Sequence, residues 1–338
     1  MNVINYNPLN KVHEMTGILV NHVEPVSGGG NNKIYKVICP DGKQMALKFY
    51  SINSTSSDLE RLKREYEGLL FLRKKGECQV PSPMAVDHES ICALFDWIDG
   101  EKVNIISLHE LNSVVEFIQR LKRYSRDDDA RLLSHASDNA LNMSCLVEQI
   151  YRRLDRLSQV HSHVDLRHFL DEMLKPYLAD LIQATKRSYK NEFEKSLPYE
   201  TAILSPSDFG FHNILRSNQS LTFIDFEYFG WEDPAALLAH FLWHPGMNLT
   251  EEHKSYFSLT MLNVFKDDPT FEVRFKLLFP LIGLVWVLIL LNEFIPALWQ
   301  RRLHAGGVLS SDFYEKTEQQ LQKAKEYFFR ITKVNYTC

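Results

Sequence analysis

The chain has 338 residues, 45% hydrophobic and 24% charged, the balance of a globular protein with a full core. A net charge of −5 gives no general pull toward nucleic acid or an anionic membrane surface. Five cysteines (Cys39, Cys78, Cys92, Cys145, Cys338) are scattered without a CxxC pair. That argues against a disulfide framework or a zinc site and for reduced thiols in a cytoplasm.

A chain this long is expected to form two lobes or domains. The opening "MNVINYNPLNKVHEM" has neither a basic start nor an apolar core, so no secretory signal is expected. From Gly17 to about Asp96 the pattern is strand-like with one helix. "KIYKVIC" and "QMALKFY" alternate around the turn "PDGK" and predict a hairpin. "SSDLERLKREYEGLLFLRKKG" carries capping residues, leucines at helical spacing and a stop at Gly76, so it predicts a helix. "PSPMAVDHESICALFDWIDG" predicts a strand pair ending at Asp99-Gly100.

The chain then turns helical. "LHELNSVVEFIQRLKRYS", "MSCLVEQIYRRLDRLSQV" and "LRHFLDEMLKPYLADLIQATKRSY" each carry a 3.6-residue apolar stripe. "LSPSDFGFHNIL", with the following "RSNQSLTFIDFEYFGWEDP", interrupts them as a strand–turn–strand, and helices resume at about Pro234. The apolar run Leu277–Leu291 is shorter than the ~20 residues needed to cross a bilayer. Pro280 and Gly283 interrupt it, so a buried core helix and no membrane span are expected. The architecture expected is α+β, a small β-rich lobe before a large helical lobe.

Four pieces carry chemistry, and each has a bland alternative. The glycines of "VSGGGNNKIYKV" can bring backbone N–H groups close to a phosphate, or simply form a flexible hairpin turn. Lys48 stands alone on an apolar strand, where a charge is costly unless it is paired or reaches solvent. Glu65 on the next helix is able to make that pair, with Glu60 and Glu67 as rivals. Asp208-x4-Asn213, followed by Asp225 at the end of "LTFID", has the order of a kinase catalytic loop and its metal-binding Asp. Phosphoryl transfer needs a carboxylate to accept the hydroxyl proton and hard oxygen ligands for Mg²⁺.

In these pieces the chain resembles the aminoglycoside phosphotransferase and choline kinase family, small-molecule relatives of the protein kinases. The matching stretches, "SGGGNNKIYKV", "ALKFY", "REYEGLLFL", "SDFGFHNIL" and "FIDFEYFGWEDPA", span about Ser27 to Ala235. The resemblance implies a bilobal protein-kinase-like fold, with a nucleotide-binding lobe over 1–98 and a helical lobe with the catalytic loop and acceptor site over 99–338. It implies that Gly28, Gly29, Gly30 and Asn31 cover the phosphates, that Lys48 holds them and that Glu65 anchors Lys48. Backbone groups of Asp96, Trp97 and Ile98 would bind the purine edge. Asp208 would be the catalytic base, with Asn213 and Asp225 the Mg²⁺ ligands.

Two departures stand out. Where the family usually has His, two positions before the catalytic Asp, the chain has Pro206; where a second Asp usually follows the metal Asp, it has Leu237. Proline has no N–H to donate, so a donor and its usual acceptor vanish together. Other features carry little: "HSH" (His161–His163) with His168 is expected on the surface and "RDDDAR" as an acidic loop. Trp231, Tyr228, Trp243 and Trp286 fit either core packing or a cage for a quaternary ammonium.

The expected function is ATP- or GTP-dependent, Mg²⁺-assisted phosphorylation of a hydroxyl on a small metabolite, which could be a sugar, an amino alcohol or an aminoglycoside-like compound. The alternative is a catalytically silent, kinase-like nucleotide- or metabolite-binding protein. No nucleic-acid partner is expected, and the sequence says nothing of oligomeric state.

Overall fold

A computed structural model describes residues 7–26, 32–50, 56–190, 193–217, 220–304 and 309–333. Its N-terminal part is an antiparallel sheet in the order β1–β2–β3–β5–β4, made of His22–Val26, Lys33–Ile38, Gln44–Phe49, Cys92–Asp96 and Pro83–Asp87 respectively. The β2–β3 hairpin turns where Gly42 takes φ 82°, a left-handed conformation glycine adopts without strain. The Lys43 N–H donates to Asp41 at 2.9 Å and fastens the turn.

Alternation along β3 decides where Lys48 points. Met45, Leu47 and Phe49 enter a small core with Val12 of α1 (Pro8–Thr16) and with Val37, Cys92 and Leu94. Ala46 and Tyr50 belong to the opposite face, toward the main core, and Lys48 shares it by the two-residue period. That face is covered by α2 (Ser56–Lys74), whose buried stripe includes Leu62, Glu65, Leu69 and Leu72. Gly68 is needed on α2 because a Cβ there would meet Cδ1 of Phe229 at 2.4 Å.

Past the short strand β6 (Glu101–Lys102) the chain is mainly helical, as expected. α3 (Leu108–Tyr124) opens with a capping box between Ser107 and Glu110. α4 (Met143–Ser158) follows. The stretch expected as one helix over 166–189 is instead α5 (Val164–His168), a π-helical turn (Phe169–Leu174) and α6 (Lys175–Tyr189). Pro176 explains the widening, since it removes an N–H from the helical ladder.

The strands β7 (Ile203–Ser205), β8 (Ile214–Ser217), β9 (Ser220–Phe223) and β10 (Gly230–Glu232) form two small sheets, β10–β7 and β6–β8–β9. α7 (Pro234–Trp243), α8 (Glu251–Val264), α9 (Phe271–Leu290), α10 (Pro296–His304) and α11 (Phe313–Thr332) complete the helical part.

α9 is longer than its apolar run suggested, and Pro280 does not interrupt it. By length and composition it could cross a membrane, but 83% of its apolar window is buried within the protein. Gly283 lets it pack closely, since a Cβ there would meet Ile331 and Trp243 at 2.8–3.0 Å. The apolar packing of α9 offsets the backbone hydrogen bond that Pro280 removes, so core packing outweighs the break expected there. The "RDDDAR" stretch is a short 3₁₀ turn, and its Asp129 and Asp127 pair with Lys74 and Lys75 at the end of α2.

Candidate active site

The strand β3 and the helix α2 bring Lys48 and Glu65 together. Lys48 Nζ donates to Glu65 Oε2 at 2.7 Å, and both side chains are about 5% exposed. Of the rival glutamates, Glu60 and Glu67 are exposed on α2. Glu65 also accepts from the Tyr50 hydroxyl at 2.6 Å and from the Phe226 N–H at 3.2 Å. The second contact reaches across from the β9–β10 connection, so Glu65 ties the sheet and α2 to the segment carrying Asp225.

Asp225 completes the group. Its Oδ1 accepts from Lys48 at 2.5 Å, and its side chain stays 35% exposed. The residue sits at φ 66°, a left-handed conformation an aspartate adopts only where its surroundings impose it. Glu227, two positions on, lies 3.7 Å from Lys48 and accepts from Arg61 at 3.1 Å and from Asn32 at 2.6 Å. Arg61 Nη1 also donates to Asn32 Oδ1 at 3.0 Å, and its Nη2 to Asp58 at 2.7 Å and the Tyr50 carbonyl at 2.5 Å.

Burial alone would lower the Lys48 ammonium, but Asp225, Glu65 and Glu227 hold it above the usual lysine range. Burial raises the Asp225 carboxyl, with Glu227 and Glu65 adding to the effect and Lys48 opposing it. Glu65, Asp225 and Glu227 place carboxylate oxygens within 4.8 Å of one another, faced by Lys48 and Arg61. Three carboxylates against two cations leave surplus negative charge, which a divalent cation relieves. Hard oxygen donors of this kind suit Mg²⁺.

The catalytic-loop stretch lies between β7 and β8. Ser207 takes φ 67°, and the loop satisfies its own backbone. The Ser207 N–H donates to Ser205 Oγ at 3.0 Å, the Asp208 N–H to the Pro206 carbonyl at 2.9 Å and the Phe209 N–H to the Ser207 carbonyl at 3.0 Å. Asn213 Nδ2 donates to the Asp208 carbonyl at 3.0 Å, which leaves its amide oxygen as the acceptor. The Ile224 N–H donates to the Asn213 carbonyl at 2.9 Å, tying the loop to the residue before Asp225. Burial works to raise the Asp208 carboxyl, but His212 and His244 hold it below the usual carboxylate range.

At the two positions of departure, Pro206 is buried and Leu237 is 1% exposed within the core. Asp233, just before α7, is buried; it caps that helix at the Ala235 N–H and pairs with Arg274 at 2.8 Å.

In the segment expected at the purine edge, the Asp96 and Trp97 N–H groups donate to the carbonyls of Ser82 and Gln44, at 3.0 and 3.3 Å. Ile98 carries the remaining N–H of the three. Gly28, Gly29, Gly30 and Asn31 lie outside the described residues.

Sequence reasoning missed Glu227, Arg61, Asn32, Tyr50, His212 and His244 as members of this site. Glu227 had a signal, a second acid two positions after Asp225 in the apolar run "FIDFEYFG"; His244 had none, being distant in the chain.

Of the aromatic residues weighed as a cage, the three tryptophans each pack on partners of their own, whereas Tyr228 hydrogen-bonds Glu227. Trp231 is fully buried and donates to the Ala130 carbonyl at 2.9 Å, whereas Trp243 donates to the Phe279 carbonyl at 2.8 Å. Trp286 packs against His240 and His244. His161 and His168 are exposed, and His163 packs edge-on against Phe294.

Several solved structures share this architecture. The choline kinase LicA from Streptococcus pneumoniae superposes with a TM-score of 0.60 at 16% identity, covering 95% of this chain and 97% of that one. The aminoglycoside phosphotransferase APH(2")-IIa, solved as a ternary complex with streptomycin and ATP, gives 0.59 at 16% identity over 97% and 99%. The amicoumacin kinase hAmiN, in complex with AMP-PNP, Ca²⁺ and Ami, gives 0.58 at 14% identity over 98% and 96%. At such identities the likeness establishes the protein-kinase-like fold. No curated protein sequence matches the chain. The family model for the phosphotransferase enzyme family matches residues 22–257, most of the chain and all of the site just described. The chain therefore belongs to the phosphotransferase enzyme family and is a small-molecule kinase with a hydroxyl acceptor.

Proposed function

We propose that the protein transfers the γ-phosphoryl group of ATP, or of GTP, to a hydroxyl of a small metabolite such as a sugar, an amino alcohol or an aminoglycoside-like compound. Residues 1–98 hold the nucleotide and residues 99–338 the acceptor. The observation that carries this reading is the buried Lys48, held by Glu65 on one side and Asp225 on the other. A lysine kept charged among carboxylates at this place suits nucleotide phosphates. The similar structures solved with ATP and AMP-PNP support the choice of nucleotide.

In this mechanism Lys48 neutralises nucleotide phosphates, and Glu65 with Tyr50 fixes its position. The Gly28–Asn31 segment covers the phosphates, while Ile98, with Asp96 and Trp97 beside it, meets the purine edge. Asp225 and Asn213 would hold Mg²⁺, with Glu227 as a further carboxylate beside Asp225, and the ion would supply charge neutralisation at the phosphates. Asp208 orients the acceptor hydroxyl and receives its proton; its lowered pKa keeps it ionised, in the form that can accept a hydrogen bond from the hydroxyl.

The test is ADP formation from MgATP across a panel of hydroxylated metabolites, with wild type beside Asp208→Asn. Acceptor-stimulated ADP formation that the variant loses while still binding nucleotide is the expected result. ADP formation unchanged in Asp208→Asn would remove Asp208 from the chemistry.

A further inference from the structure

The catalytic loop carries no imidazole at the position of Pro206, yet two imidazoles reach Asp208, one from farther along the same loop and one from the end of α7. His212 comes from the 3₁₀ turn Phe211–Asn213, and His244 from the turn that ends α7. Their Nε2 atoms lie 3.2 and 3.6 Å from the same oxygen, Oδ1 of Asp208. The two rings stack with centroids 4.0 Å apart and planes 10° from parallel.

The arrangement does not suit a shared metal ion. A zinc–nitrogen bond is about 2.0–2.1 Å and runs along the in-plane lone pair. Between two nearly parallel rings, an ion would lie out of line with both lone pairs.

Hydrogen bonding sets the state of His244. Its Nδ1 accepts from the Gly246 N–H at 3.0 Å, so the neutral ring carries its proton on Nε2, the atom facing Asp208. Burial lowers the His244 pKa against the pull of Asp208, which favours that neutral, single-donor form. Trp286 of α9 packs edge-on at 4.5 Å and is itself 8% exposed, so Trp286 and His212 both pack against the ring.

We infer that His244 is the positioning residue of Asp208: its Nε2–H holds Oδ1, leaving Oδ2 to receive the acceptor proton, while His212 serves as the plate on which His244 stacks. The inference rests on the reading of Asp208 as the base. Catalytic hydrogen bonds that are long in a free enzyme shorten once substrates close the site, so 3.6 Å is a resting distance.

Two measurements test this independently. The first is nuclear magnetic resonance of ¹⁵N-histidine protein without substrate, in which His244 is expected as the Nε2–H tautomer, with a resonance that moves in Asp208→Asn. A His244 signal in the other tautomer, or one indifferent to Asp208→Asn, overturns the contact whatever reaction the protein performs.

The second is ADP formation from MgATP with water as the acceptor. His244→Phe, which keeps a ring but no donor, is expected to lower kcat roughly tenfold or more with KM for MgATP nearly unchanged. His244→Gln, which restores an N–H donor, is expected to recover most of the loss. Equal rates in the Phe and Gln variants would show that donation is not what matters. Loss of ADP formation in Asp208→Asn, with both His244 variants at the wild-type rate, would leave the kinase reading intact and end the positioning role.

Discussion

Lys48 and Glu65 form a buried ion pair 2.7 Å long that joins the central strand of the N-terminal sheet to α2. Breaking such a pair by removing one partner typically costs about 3–5 kcal/mol. Here Tyr50 and the Phe226 N–H still satisfy part of Glu65, while Asp225 and Glu227 lose the same cation.

Lys48→Ala is therefore expected to abolish most turnover, to weaken nucleotide binding in calorimetry and to lower the melting temperature. Glu67→Ala, on the exposed face of the same helix, should change stability by less than about 0.5 kcal/mol and leave turnover alone. If Glu65→Ala and Glu67→Ala had equal effects on turnover, the pairing would have no part in holding the nucleotide.

Metal dependence follows from the carboxylates around Asp225. Removing divalent ions with EDTA should stop turnover, and added Mg²⁺ should restore it. Asp225→Ala should reduce the rate at least about a thousandfold, roughly 4 kcal/mol at ~1.4 kcal/mol per tenfold. Full activity in EDTA would be the contrary result.

At the catalytic loop, the backbone donors of Ser207, Asp208 and Phe209 already have local acceptors. A carboxylate introduced by L237D would be buried with none of these donors to receive it. The expected cost is about 3 kcal/mol or more, seen as a lower melting temperature. P206H alone should bring no gain in activity. Thermal unfolding of both single variants and the double, read as a mutant cycle, is the check. Strict additivity with a harmless L237D would mean that the loop does not depend on apolar packing at Leu237.

Glu232 gives a pH dependence with a definite sign. Burial pushes its carboxyl up to about 8 from the usual 4.5, despite hydrogen bonds from the Ala140 and Asp233 N–H groups. Because the folded-state pKa is raised, the stability it allows is complete below 4.5 and is lost as pH rises toward 8. Glu232→Gln keeps the accepting oxygen and removes the titration. The variant should gain on wild type between pH 5 and 8 by roughly 1–3 kcal/mol, a few degrees in melting temperature. A difference in melting temperature that stays flat across this range would contradict the burial argument.

The alternation of "QMALKFY" placed Lys48 on the face opposite Met45 and Leu47, and the helical period of α2 placed Glu65 among Leu62, Leu69 and Leu72. The Asp208-x4-Asn213 spacing and the Asp225 that follows were likewise legible, because a short loop between strands confines its residues locally. Periodicity assigns a face, and that much the chain alone determined.

Tertiary packing decided which of the three α2 glutamates meets Lys48, because that depends on how α2 lies on the sheet, down to Gly68 against Phe229. It also decided that Arg61 and Asn32 gather on Glu227, that the tryptophans each pack on partners of their own, and that α9 continues through Pro280. The approach of His244 to Asp208 had no local trace at all. Contacts between distant segments are set by the relative placement of whole elements, which depends on the burial of many side chains at once and on the charges that burial forces into pairs.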